Sequence, residues 1–78
     1  MKLKIESHKD STTRVIEYPL TLAQFVKINF SFLGPIYGVE KTGANKYEIF
    51  DGFDGDLVYT VSKAGKNDPV TENGGAND

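Results

Sequence analysis

A chain of 78 residues without cysteine must be held by a single core. At this length folding hides only about 60–65% of the surface that the unfolded chain exposes, and no disulfide or thiolate metal site adds to it. The net charge of −2 argues against the dense basic field that draws a protein to nucleic acid or to an anionic bilayer. The window richest in apolar residues, 20–33, is broken by Thr21, Gln24, Lys27, Asn29 and Ser31, and is too short to span a membrane.

Charge is spread along the body of the chain. Lys2, Lys4, Lys9 and Arg14 are set against Glu6, Asp10 and Glu17, and Lys27, Lys41, Lys46 and Lys63 against Glu40, Glu48, Asp51, Asp54 and Asp56, so residues 1–63 are neutral. The amino terminus, MKLKIESHKD, alternates and has no apolar run of the secretory kind, which predicts a cytoplasmic protein.

In chain order, alternation predicts a strand over 2–6, with Leu3 and Ile5 on one side, and the β-formers of 13–18 predict a second, the two joined by a polar loop. Pro19 ends the second strand because it has no amide hydrogen for a ladder. Thr21 is then a good N-cap, Gln24 three residues on completes a capping box, and Leu20 before the cap can staple onto Phe25. A helix is predicted from there to Leu33, stopped by Gly34-Pro35. Val26, Ile28, Phe30 and Phe32 also alternate with Lys27, Asn29 and Ser31, the period of a strand, and Asn29 sits awkwardly in the helix's apolar face. The cap and the stop favour the helix.

Three further strands are predicted over 36–41, 47–51 and 57–62, with a turn over 42–45 between the first two. Between the last two lies the cluster Gly52-Phe53-Asp54-Gly55-Asp56. A two-residue Asp54-Gly55 turn would set polar residues against core residues. A three-residue loop with Gly55 in the left-handed conformation instead pairs Ile49 with Tyr59, Tyr47 with Val61, and Phe50 with Val58 on the other face. Residues 64–78 carry too little apolar material to order themselves, so a domain over 1–63 and a disordered tail over 64–78 are predicted.

The predicted order is ββαβββ, an α+β fold whose mostly antiparallel sheet packs against a single helix. Over residues 1–33 the strand–turn–strand–helix order resembles that of the ubiquitin-like β-grasp folds, without a shared motif or any functional residue to carry over.

No constellation of catalytic residues is present. His8 is the one histidine, in a polar loop, with no orienting partner or nucleophile identifiable in the sequence. Asp51, Asp54 and Asp56 have the residue type that Ca²⁺ takes, but Phe53 and Ser62 stand where an EF-hand loop needs its third and twelfth ligands. Aspartate and glycine are also ordinary turn residues. The expectation is a non-enzymatic protein without metal or cofactor.

Surplus apolar surface points instead to a protein-interaction module, an adaptor or inhibitor of a larger protein, acting alone or as a homodimer. Phe50, Phe53 and Val58 are its candidate contact residues, with Lys27 on the helix as rim. The alternative is a nucleic-acid-binding domain using Lys2, Lys4, Arg14 and Lys46, which converge on one sheet face if the first, second and fourth strands are neighbours.

Overall fold

The computed structural model describes residues 1–31 and 36–71. Strands β1 (Lys2–Ser7), β2 (Thr12–Glu17), β3 (Tyr37–Gly43), β4 (Lys46–Asp51) and β5 (Leu57–Lys63) form one sheet in the order β2-β1-β5-β4-β3. All four ladders are antiparallel. A helix, α1 (Leu22–Val26), continues into a π-helical turn, Lys27–Ser31. The α+β class and the order ββαβββ are as predicted. Because β2 and β3 are opposite edges of the sheet, the helical segment between them crosses one face, contacting β5 and then β3.

The capping box forms as the sequence predicts. The Thr21 hydroxyl accepts the Gln24 amide hydrogen at 3.2 Å, and the Gln24 side-chain oxygen accepts that of Thr21 at 3.1 Å. Leu20 remains 42% exposed, and the ring set edge-on to Phe25 is that of Tyr18, at 4.9 Å between centroids.

The helical reading of 26–31 holds over the described residues, but with a wider turn. A π-helical turn closes its hydrogen bonds five residues apart rather than four, which carries Phe30 to the side of Phe25, 6.3 Å between centroids, and leaves Ile28 48% exposed. Asn29, four residues after Phe25, donates from Nδ2 to the Phe25 carbonyl at 2.9 Å. That oxygen is the one Asn29's own amide reaches in a regular α-helix, so the side chain bonds the helix backbone where the turn widens. Phe30 then meets Tyr37 and Tyr59 at 5.3 and 5.5 Å, tying the turn to β3 and β5. The predicted end of the helix at Leu33 lies outside the described residues.

The core between helix and sheet comprises Leu3, Ile5, Ile16, Leu22, Phe25, Val26, Ile49, Val58 and Val61. The β4–β5 register pairs Ile49 with Tyr59 and Tyr47 with Val61, and Gly55 has φ +79°, as the burial pattern requires. One pair differs. Phe50 lies opposite Leu57, not Val58, because Val58 is the extra residue of a β-bulge. Two residues of a bulged strand oppose one of its partner, and here the extra side chain turns into the core, where it is 5% exposed.

The predicted tail boundary also shifts. Ala64 is buried and its amide donates to the Lys2 carbonyl. The Lys2 ammonium donates to the carbonyls of Lys66 and Asp68, and Thr71 bonds both backbone groups of Val15. Residues 64–71 thus form a strap reaching the outer edge of β2, held by backbone groups that composition does not reveal. Residues 72–78 lie outside the described residues.

Candidate interaction site

The antiparallel order places two turns at the same end of the sheet. Because β1 runs beside β5, the β1–β2 turn at residues 8–11 neighbours the β4–β5 turn at residues 52–56, and the His8 amide donates to the Val58 carbonyl at 2.9 Å. Ile36 joins this end from the other side, its carbonyl accepting the Gly52 amide hydrogen at 2.9 Å.

The β4–β5 turn is cross-braced. One Asp51 carboxylate oxygen accepts the amide hydrogens of Phe53 and Asp54 at 2.7 and 3.4 Å, and the Asp54 carboxylate accepts that of Asp56 at 3.0 Å. The Asp51 amide donates to the Asp56 carbonyl at 2.8 Å and its carbonyl accepts from Gly55 at 2.9 Å. The carboxylate bonds are those for which aspartate is selected in turns. Together with the backbone bonds they hold Phe53 at the tip, where the residue is 92% exposed.

The neighbouring turn is built in the same way. Asp10 accepts the Thr12 hydroxyl at 2.7 Å and the Thr12 amide at 3.3 Å, and Ser11 takes a left-handed φ of +59°. The Thr12 hydroxyl, with Ser7 second, holds the Asp10 carboxyl below the usual carboxylate range. The His8 ring is bonded to the buried Thr60, Nε2 lying 2.8 Å from its hydroxyl oxygen, so it has a structural partner as well as solvent. Among the described residues no group of three or more His, Cys, Asp or Glu is arranged to hold a metal ion.

Of the four residues predicted to share one surface, Phe53 is the exposed one at this end. Phe50 is half-buried and lies opposite Leu57 and Gly38 on the face away from the helix. Val58 is removed by the bulge into the core. Lys27 is exposed on the helical segment, on the other side of the sheet from Phe50, so the two share no surface. Ile36 is 49% exposed beside the turn. No local pattern marks it, because the contact depends on the order of β3 and β4 in the sheet.

The four basic residues of the alternative also separate. Strands β1 and β4 are not neighbours, since β5 lies between them. Lys4 and Lys46 both face Ser62 across that strand, in a row next to one containing Glu40, Glu48, Thr60 and Glu6. The Lys2 ammonium is engaged by the strap, and Arg14 pairs with Ile5, which sets it on the helix side. No helix among the described residues is long and apolar enough to cross a membrane. Comparison with family models, with curated proteins and with solved structures gives no match.

Proposed function

We propose that this protein is a small non-enzymatic interaction module, an adaptor or inhibitor, which inserts Phe53 into an apolar pocket on a partner protein. The observation that carries the proposal is the combination of near-complete exposure of the Phe53 ring with a turn backbone fixed by Asp51 and Asp54. An aromatic side chain on a braced turn loses little conformational entropy on docking, and buried aromatic anchors dominate many interfaces. Asp10, Asp51, Asp54 and Asp56 outnumber Lys9 at this end, so the pocket it fits is bordered by Lys or Arg.

The test is recovery of partners by the immobilised wild-type protein and by a Phe53→Asp variant. Partners held by the wild type and released by the variant, with circular dichroism and urea midpoint unchanged, support the proposal. Equal recovery by both overturns it. Oligonucleotide binding that weakens steeply with salt and survives Phe53→Asp would replace it with the nucleic-acid alternative.

A further inference from the structure

The two edges of the sheet are treated differently. On β2 the outward backbone groups of Val15 are taken by Thr71. On β3 the outer edge is unpaired among the described residues. An unpaired edge of seven residues without proline is a template for another strand.

The hydrogen bonds at the two ends of β4 establish which β3 groups face outward. Asn45 and Asp51 bond toward β5, through Lys63 and Asp56, whereas Gly52 bonds toward β3, through Ile36. By alternation Glu48 and Phe50 also bond toward β3. Their partners Glu40 and Gly38 therefore face inward, and Tyr37, Val39 and Lys41 present their N–H and C=O groups outward.

We propose that β3 pairs antiparallel with β3 of a second copy, across a two-fold axis at Val39, joining the two sheets into one. Such an axis stands normal to the sheet and keeps each side chain on its own face, so the register must centre on a single residue. Centred on Glu40, it opposes Glu40 to its copy. Because Glu40 already lies opposite Glu48, four carboxylates would then fall in one row. Centred on Lys41, it opposes two lysines. Like charges directly opposite are destabilising. Centred on Val39, it sets Val39 against Val39, Lys41 against Tyr37 twice, and Glu40 against Gly38 twice. No like charges meet, a valine 37% exposed is covered, and each lysine lies beside an aromatic ring, as Lys41 already does over Tyr47 at 6.0 Å. This charge pattern makes a second copy, rather than a foreign strand, the fitting occupant.

The experiment is sedimentation equilibrium of the 78-residue chain over a wide concentration range, with amide exchange at Tyr37, Val39 and Lys41. The wild type is expected to dimerise, with those three amides becoming protected as concentration rises. Val39→Lys, which opposes two lysines at the axis, should give a monomer with unchanged circular dichroism. Glu40→Lys, facing Gly38 of the second copy, should leave the dimer in place. A wild type that stays monomeric, a dimer whose Val39 and Lys41 amides exchange freely, or a dimer indifferent to Val39→Lys overturns the proposal. Should Val39→Lys fail to fold, the concentration dependence of the wild-type amides decides it alone.

Discussion

Thr71 closes the outer edge of β2 by acting on both backbone groups of Val15. Its amide donates to the Val15 carbonyl at 2.8 Å, and its hydroxyl oxygen accepts the Val15 amide hydrogen at 2.8 Å. Thr71→Val keeps the shape and removes the acceptor, leaving the Val15 N–H without its partner. The expected loss is about 1 kcal/mol in urea denaturation, with faster exchange at the Val15 amide. Lys2→Met releases the same strap from its other end by removing the donor to the Lys66 and Asp68 carbonyls. The double variant should lose less than the sum of the two single losses, because either one frees the strap. Strict additivity would mean that residues 64–71 do not act as one unit.

Asn29 is a second place where one side chain bonds a backbone group. Asn29→Ala removes the donor to the Phe25 carbonyl and should cost about 1 kcal/mol. Asn29→Asp should cost more at neutral pH, since a carboxylate cannot donate and sets a negative charge against the carbonyl oxygen. Acidification restores a donor, so the gap between the two variants should narrow below about pH 4. Urea midpoints at neutral and acid pH check this, and an Asp variant as stable as the wild type at pH 7 would remove the role assigned to Asn29.

Features legible in the sequence were those fixed by short spacings. Thr21 and Gln24 stand three apart, which is all a capping box needs. The pairing of Ile49 with Tyr59 follows from the demand that core residues share a face, and that demand also places Gly55 in the left-handed region. The bulge at Val58 left no such mark, since one extra residue changes neither composition nor the alternation on either side of it. It moved a candidate contact residue into the core. The π-helical turn was hidden for a related reason: Val26, Ile28 and Phe30 alternating with Lys27, Asn29 and Ser31 behind a helix cap are compatible with more than one period, and the choice is made by where Phe30 can meet Tyr37 and Tyr59. The strap was invisible because its attachments are backbone carbonyls and one threonine. At the candidate site, the exposure of Phe53 could be anticipated from its place in a turn, but the approach of Ile36 and of the β1–β2 turn depends on long-range strand order.

The Asp10 carboxyl provides a test of how far the β1–β2 turn contributes to folding. Its proton affinity is lowered in the folded chain, first by the Thr12 hydroxyl and then by Ser7, and these bonds are absent when the chain is unfolded. A carboxyl depressed in this way adds stability above its unfolded pKa, and that contribution is lost as pH falls through the folded value. Asp10→Asn keeps an oxygen acceptor but removes the charge. The variant should therefore be less stable than the wild type at pH 7, and the difference should shrink as pH falls below about 4 and the wild-type carboxylate takes up its proton. Urea denaturation of the pair across this range measures it directly. A difference that does not change with pH would show that the carboxylate's charge contributes nothing and that the turn is held by geometry alone.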